Sequence, residues 1–457
     1  MIREDRATAE ARTYGRAAGL LTVAIGSAGL LTYAYFALAS HTLSREEYGQ
    51  IVVLWSAVFL AVSTLFRPIE QLLSRTLAEL ESHGGPTRPV LRTASLIQLG
   101  IAACFVAVAL ALRGPLENEL LDGERTLYLI LIAAVVAFAA AFFGRGFLAG
   151  RRQFPHYAAL LLVEAVARVA FALVVAIGIA KGEVTVALGV AAAPLMGLAV
   201  LPFALRRRRA PERVAERSAA GAFTLGQGGG FAAAVLLIML SEQVLLNSGP
   251  LIVQATLGTA AAGFIFNVLM VARAPLLLFQ AVAASLLPHL TRLLSRDDEA
   301  SDQAFHLSLR ATLLAIVGFA ALVFVGVVAI GPWAMQLAFG DRFSYDRLDL
   351  AIVAVGMGIY LSAATLNQAA LAQGQARRAA ACWIMSAVVF LAWNVLPWMD
   401  EFRRVETGFA ASAAVLCGLL YVIYRRPRGR PEDVVVPDSP RELEVRLAAA
   451  DEAAEGI

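Results

Sequence analysis

The stretch TLYLILIAAVVAFAAAFFG, residues 126–144, contains no charged side chain. An α-helix of about 20 apolar residues crosses the ~30 Å hydrocarbon core of a bilayer, and this run is close to that length. Eight further charge-free runs of similar length occur at 17–40, 48–66, 93–112, 184–205, 311–330, 350–372, 379–399 and 407–424. Working outward from residues 126–144, the sequence therefore predicts an all-α polytopic membrane protein.

Three more membrane spans are predicted in stretches that carry a few charges. Residues 154–180 form one span, interrupted by Glu164 and Arg168. Residues 218–288 contain only Glu242 and Arg273 as charges and are long enough for two crossings, with Pro250 marking a kink or the turn between them. The prediction is twelve transmembrane helices.

Composition excludes several function classes. The 457 residues are 59% hydrophobic and 16% charged, with a mean hydropathy of +0.70, whereas soluble domains carry about a quarter charged residues. A soluble enzyme, a nucleic-acid-binding protein and a disordered chain are therefore excluded. The three cysteines lie in apolar runs and the five histidines are scattered, so we expect no metal site and no cofactor.

The distribution of basic residues predicts the orientation in the membrane. With the amino terminus placed inside, 27 of the 38 basic residues fall on the cytoplasmic side and 8 on the outer side, and three are embedded. Basic residues are enriched on the cytoplasmic side of membrane proteins. We therefore expect both termini to lie inside, with residues 1–16 and 425–457 cytoplasmic and the tail disordered.

A weak internal repeat predicts two six-helix halves. The spacing Leu-small-x-x-x-x-Gly occurs at Leu43–Gly49 and again at Leu257–Gly263, and Gly150 and Gly374 follow at a similar offset. Six is an even number, so the two halves have the same orientation and are related by a pseudo-two-fold axis along the membrane normal. The predicted bundles cover residues 17–205 and 223–424, and a basic cytoplasmic linker, 206–222, joins them.

The order of several short motifs resembles that of the multidrug/oligosaccharidyl-lipid/polysaccharide (MOP) exporters over roughly residues 17–424. The motifs are Leu43–Gly49, Leu257–Gly263 followed by Pro275 and Leu287-Pro288, Gly146–Phe154, Phe339–Phe343 and Asn367–Gly374. The last three are similar to the polysaccharide-exporting (Wzx-type) branch.

The resemblance implies a flippase in a prokaryotic plasma membrane. It would translocate a polyprenyl-pyrophosphate-linked oligosaccharide by alternating access. Membrane lipids and other polysaccharide-assembly proteins are the partners that this function implies, and no nucleic acid is expected.

Charges inside the membrane are costly and are functional candidates by default. Arg67 is interpreted either as an interfacial arginine paired with Glu70 or as a cavity cation that meets the carrier pyrophosphate. Glu164 and Arg168, four residues apart on one helical face, are interpreted either as a mutual ion pair or as cavity residues.

The predicted seventh and eighth spans supply the remaining candidates. Arg273 and Asn267 are candidate substrate-binding residues, with Glu242 as a possible partner of Arg273. Glu242 is also a candidate for binding the coupling ion. The related lipid II flippases carry arginines in the spans that correspond to those of Arg67 and Arg273, about one turn away in the latter case.

Two alternatives remain open at this point. A multidrug antiporter of the same superfamily would need acidic cavity residues for cationic drugs, but here Arg67, Arg168 and Arg273 outnumber the embedded acids. A polyprenyl-dependent glycosyltransferase could use Glu46-Glu47, but such enzymes have long outer loops that this chain lacks. We therefore do not expect an enzyme.

Overall fold

The computed structural model describes residues 2–83, 85–206, 225–271, 299–341 and 345–425, together with residues 273, 286, 290 and 343. Every regular element in these ranges is helical. The helices are α1 (Ile2–Thr42), α2 (Arg45–Leu65), α3 (Arg67–His83), α4 (Arg88–Ala111), α5 (Arg125–Gly150), α6 (Phe154–Ala176), α7 (Glu183–Leu198), α8 (Leu201–Arg206), α9 (Leu225–Leu257), α10 (Thr259–Val271), α11 (Glu299–Phe339), α12 (Arg347–Ala372), α13 (Ala376–Val395) and α14 (Glu401–Arg425). A short π-helix, Pro115–Leu120, lies between α4 and α5.

The predicted membrane spans are confirmed throughout the described part of the chain. Eleven of its helical segments are long and apolar enough to cross a membrane, and the shorter α10 lies in the predicted eighth span. The protein is therefore a multi-pass integral membrane protein. The predicted linker after Arg206 and the predicted tail after Arg425 lie outside the described residues.

The helices differ in how much of their surface is left for lipid. In α5 the most apolar window is 67% buried inside the protein, whereas the corresponding windows of α4 and α11 are 11% and 6% buried. Large apolar side chains such as Leu99, Leu314 and Val325 are consequently exposed. Exposed leucine and valine are stable in hydrocarbon, so α4 and α11 are peripheral helices and α5 is a central one.

Local sequence accounts for two of the helix boundaries. A capping box begins α2, because the Ser44 amide donates to Glu47 Oε2 at 2.8 Å while the Glu47 amide donates to Ser44 Oγ at 3.1 Å. The turn between α9 and α10 falls at Gly258, whose φ of +86° suits glycine. Pro250 lies inside α9, so its interpretation as the turn between the two crossings is wrong.

After the second predicted span, which is α2, the chain continues toward the predicted cytoplasmic side as the separate helix α3. Only Phe66 separates α2 from α3, and α3 packs closely on α5 because α5 has glycines at the contact. A Cβ built on Gly150 would lie 2.6 Å from Leu77 Cβ, and one on Gly146 would lie 2.9 Å from the Glu70 carbonyl oxygen. Small residues allow this approach, and it places Arg67 and Glu70 at the start of α3.

The helices pack in two sets that follow chain order. With the exception of α2, whose most extensive contact is with α9, helices α1 to α7 make their main contacts with one another, as do α9 and α11 to α14. The principal contacts between the two sets are α2 with α9, α1 with α11, and the π-helix with α9. We call the described residues 2–206 and 225–425 the amino-terminal and carboxy-terminal halves; the pseudo-two-fold axis that would relate them stays a prediction.

Candidate functional site between the two halves

A tyrosine on α12 lies at the centre of the predicted membrane charges. The Tyr360 hydroxyl donates to Glu242 Oε1 on α9 at 2.8 Å. Arg273 and Arg67 both lie close enough to act on Tyr360 electrostatically. Glu242 and Arg273 come from the carboxy-terminal half and Arg67 from the amino-terminal half, so three of the predicted residues converge from both sides.

The two arginines of this group have no carboxylate partner within 4 Å among the described residues. Arg273 donates from Nη1 to Asn247 Oδ1 at 3.4 Å, a long and weak contact. Glu242 is hydrogen-bonded to Tyr360 instead of forming the ion pair with Arg273 that the sequence left open. We call Arg67, Glu242, Asn247, Arg273 and Tyr360 the inter-half site.

Arg67 does not form the predicted ion pair with Glu70. The Glu70 carboxylate instead accepts a 2.8 Å hydrogen bond from the Tyr157 hydroxyl of α6, and Arg145 is its strongest positive neighbour. Both Arg67 and Glu70 are half-buried. Arg67 nevertheless acts on the Glu70 carboxylate as a second, weaker positive neighbour, so both interpretations of Arg67, as an interfacial arginine and as a cavity cation, stay predictions.

Glu164 and Arg168 lie in a different place, inside the amino-terminal half. Arg168 Nη2 is 2.8 Å from Glu164 Oε1, and Arg145 Nη2 contacts the other carboxylate oxygen. Arg168 also lies 4.8 Å from the centroid of the Trp55 ring, a cation–π contact. All three charged side chains are buried, so Glu164 bridges two arginines.

Arg145, Arg168, Glu70, Glu164 and Tyr157 are called the amino-terminal cluster. Its two arginines and two carboxylates balance in charge, unlike the inter-half site. Arg145 lies in the last turns of α5 and was not among the residues selected from the sequence. The available signal was its position directly after an apolar run, between Gly144 and Gly146.

Asn267 belongs to the contact between the halves at their predicted outer end. It is fully buried and accepts a hydrogen bond from the Tyr48 hydroxyl of α2. Next to Tyr48, the α-carbon of Gly49 approaches α10 so closely that a Cβ would lie 1.9 Å from the Thr259 carbonyl oxygen. Asn267 thus joins the halves at a distance from Arg273, and its role in substrate binding stays a prediction.

Other contacts close the same end. Gln254 of α9 donates to Asp122 Oδ1 at 3.2 Å, which ties the segment after the π-helix to the carboxy-terminal half. Phe343 packs against Tyr48, with ring centroids 5.9 Å apart. The two halves are therefore closed at the end that the charge distribution places outside.

The described residues contain no group of three or more histidine, cysteine, aspartate or glutamate side chains arranged to hold a metal ion. Cys104, Cys382 and Cys417 are free thiols.

Comparison with known proteins places the fold. No protein-family model matches the chain. The uncharacterized protein Rv3630 of Mycobacterium tuberculosis is 25% identical over 410 residues, covering 87% of this chain and 88% of the relative. The uncharacterized protein Mb3654 of Mycobacterium bovis matches equally.

Solved structures of MATE transporters share the fold at low sequence identity. An inward-facing multidrug resistance MATE family transporter of the MOP superfamily aligns with a TM-score of 0.69 at 11% identity, over 89% of this chain and 97% of that one. An outward-facing structure of the same description gives 0.62 at 11% identity, over 90% and 94%. The Vibrio cholerae MATE transporter VcmN gives 0.58 at 16% identity, over 90% and 97%.

These alignments define the class: an all-helical membrane protein with the MATE-like transporter fold. The chain is similar to MOP-superfamily structures over nearly its whole described length.

Proposed function

We propose that this protein is an alternating-access exporter that flips a polyprenyl-pyrophosphate-linked oligosaccharide from the inner to the outer leaflet of the plasma membrane. The observation that carries the proposal is the inter-half site, where Arg67 and Arg273 face Tyr360 from opposite halves with no carboxylate partner among the described residues.

A diphosphate would supply the negative charge that the two arginines of this site lack. Guanidinium groups bind phosphate oxygens through paired hydrogen bonds, and these charge-assisted bonds are stronger than neutral ones. An unpaired anion in hydrocarbon costs many kcal/mol, so a carrier lipid needs cations along its path. Because the arginines belong to different halves, their positions relative to each other change when the halves move, which would link diphosphate binding to that movement.

Glu242 gives the proposal its coupling group. It is half-buried and already hydrogen-bonded to Tyr360, which also lies near both arginines. A proton or cation that binds Glu242 would change the charge of the same site that binds the substrate, which is the arrangement that coupled transport requires.

A second candidate function is a cation-exporting multidrug antiporter. Its support is that two of the fold neighbours are multidrug resistance transporters, together with Glu242 as an acidic group in the inter-half site. In this case Glu242 would bind the cationic drug and the arginines would not contact it.

Reconstitution of the purified protein into proteoliposomes tests the two functions against each other. The substrates are a fluorescent polyprenyl-diphosphate oligosaccharide, the corresponding uncharged polyprenol lipid and a cationic dye. We expect protein-dependent flipping of the diphosphate lipid and none of the polyprenol. Transport of the dye, with flipping of the diphosphate lipid no faster than in protein-free liposomes, would instead establish the antiporter.

A further inference from the structure

A buried carboxyl group on α14 takes no part in the inter-half site. Glu406 has 0% relative exposure, and neither of its carboxylate oxygens has a hydrogen-bond partner among the described residues. Such groups are rare in folded proteins because a buried, unsatisfied ionised carboxylate is very costly. Its surroundings indicate what it binds.

Helical geometry shows where Glu406 points. Phe402 and Arg403, four and three residues earlier, share its face of α14. Phe402 packs on Phe264 of α10 with ring centroids 4.8 Å apart, and Arg403 lies 3.6 Å from Asp349 Oδ1 of α12. Glu406 therefore points into the interface that α10, α12 and α14 share.

Asp349 is the second carboxylate of this interface. Its Oδ1 atom is buried and has no hydrogen-bond partner, since the contact with Arg403 is longer than a hydrogen bond. The side chain of Arg403 is 52% exposed, so solvent weakens the neutralisation that it provides.

The remaining charges on the packed helices are few. Asp346 and Asp400 also act on Glu406, and both are acidic. Glu401 and Arg404 pair with each other at 3.0 Å. On α12, Arg347 in the first turn is exposed to solvent. The described parts of α9 and α10 contribute only Glu242, which is bonded to Tyr360, and α13 carries its charges at the opposite end, at Arg377 and Arg378.

A continuous row of aromatic rings covers this interface on the predicted outer side. Its members are in contact one after the other, with centroid distances from 4.8 to 6.3 Å. The row, which we call the outer aromatic row, consists of Tyr48, Phe343, Tyr345, Phe264 and Phe402. It begins on the amino-terminal half and ends one helical turn from Glu406, so the closed outer end and the buried carboxyl group form one structural unit.

We infer that Glu406, together with Asp349, forms a proton-binding site that is occupied when the outer end is closed. One proton on Glu406 removes the cost of a buried, unpartnered carboxylate on which the negative charge of the partly buried Asp349 also acts. A hard metal cation typically takes six or more oxygen ligands, whereas the pair offers three unpartnered oxygens.

Loss of the proton has a structural consequence. The ionised carboxylate needs water, and water reaches it only when the outer aromatic row separates or α12 and α14 move apart. Proton release is thereby linked to opening of the outer end. The site stands without any assumption about the substrate; its use in driving export rests on the proposed function.

The test is the pH dependence of thermal unfolding of the purified full-length protein, without substrate. An unfolded glutamate releases its proton above about pH 4.3, so a folded state that retains the proton loses stability as the pH rises. Above about pH 5 we expect the unfolding equilibrium of the unmodified protein to shift by up to tenfold per pH unit, for as long as the folded state retains the proton. In Glu406→Gln, which is neutral at every pH, this part of the slope should be absent.

Glu401→Gln is the matched control, because it removes a carboxylate from the same helix that is already paired with Arg404; it should retain the slope. An unchanged slope in Glu406→Gln would overturn the proposal. So would a sodium-dependent stabilisation that Glu406→Gln abolishes, since that result would identify a metal-cation site.

A second measurement covers the case in which Glu406→Gln does not accumulate. Trp393 donates from Nε1 to Thr407 Oγ1 at 3.1 Å, next to Glu406, so its fluorescence reports on this part of α14. We expect a pH transition that moves to lower pH in Asp349→Asn, where one negative charge has been removed. A transition at the same pH in both proteins would show that the two carboxylates do not share a proton.

Discussion

The amino-terminal cluster and the inter-half site carry similar residue types but opposite charge balance. In the cluster, Glu164 contacts Arg145 and Arg168, and Glu70 lies near Arg145, so positive and negative charges are equal. In the inter-half site, two arginines from different halves surround Tyr360 and the one carboxylate is hydrogen-bonded to that tyrosine. The difference teaches that a charge within a membrane span indicates function only when its partners are known.

Removal of the shared carboxylate should give the largest effect on stability. In Glu164→Gln, Arg145 and Arg168 remain buried without an anion between them, and breaking a buried ion pair costs about 3–5 kcal/mol. We expect poor accumulation of the variant and a strongly lowered thermal unfolding midpoint.

Glu117→Gln is the control, because Glu117 forms an exposed pair with Arg113 and its loss should leave the midpoint unchanged. If Glu164→Gln is as stable as this control, the amino-terminal cluster does not hold the half together. The comparison with the inter-half site would then fail.

A methyl group at the contact between α2 and α10 should open the outer end. In Gly49→Ala the new Cβ would collide with the Thr259 carbonyl, and overpacking of this kind costs about 1–3 kcal/mol. We expect faster labelling of a cysteine introduced at Asn267 by an impermeant thiol reagent added outside.

Gly114→Ala, at an outer position where a Cβ meets nothing within 4 Å, provides the comparison. Equal labelling rates in the two variants would contradict the assignment of this contact as the closed outer end.

Hydropathy and helix length were sufficient to locate the membrane spans, because an apolar run of about 20 residues has few alternatives to crossing the bilayer. The separate helix α3 was missed, since the sequence 67–83 is amphipathic rather than apolar and its position depends on packing against Gly146 and Gly150 of α5. Local residues predict local structure well here. Contacts between distant helices decide the rest.

The candidate site was predicted in part for the same reason. Arg67, Glu242 and Arg273 could be selected because each is a charge within or next to an apolar run. Tyr360, which joins them, could not be selected, because a tyrosine in a membrane helix is common and its hydrogen bond to Glu242 spans 118 positions of sequence.

The smallest expected effect comes from this tyrosine. Tyr360→Phe removes the hydrogen bond to Glu242 while it preserves the ring, and one such bond contributes about 0.5–1.5 kcal/mol. We expect a small change in the unfolding midpoint and a shift in the pH dependence of transport, measured in proteoliposomes. Ser362→Ala, on the same helix, serves as the control. If the pH profile of transport is unaltered in Tyr360→Phe, Glu242 does not act as the coupling group.

The central claim is that the arginines of the inter-half site bind the diphosphate of the carrier lipid. Its most direct test is the rate at which reconstituted Arg273→Lys and Arg273→Ala flip the fluorescent polyprenyl-diphosphate lipid. Ammonium keeps the charge but loses the paired hydrogen bonds, and a hydrogen bond to a charged group contributes about 1.5–3 kcal/mol. The account predicts a partial loss for lysine and a loss of about 10- to 100-fold for alanine, both with normal unfolding midpoints. Near-normal flipping in Arg273→Ala, in Glu242→Gln and in the double variant would contradict it.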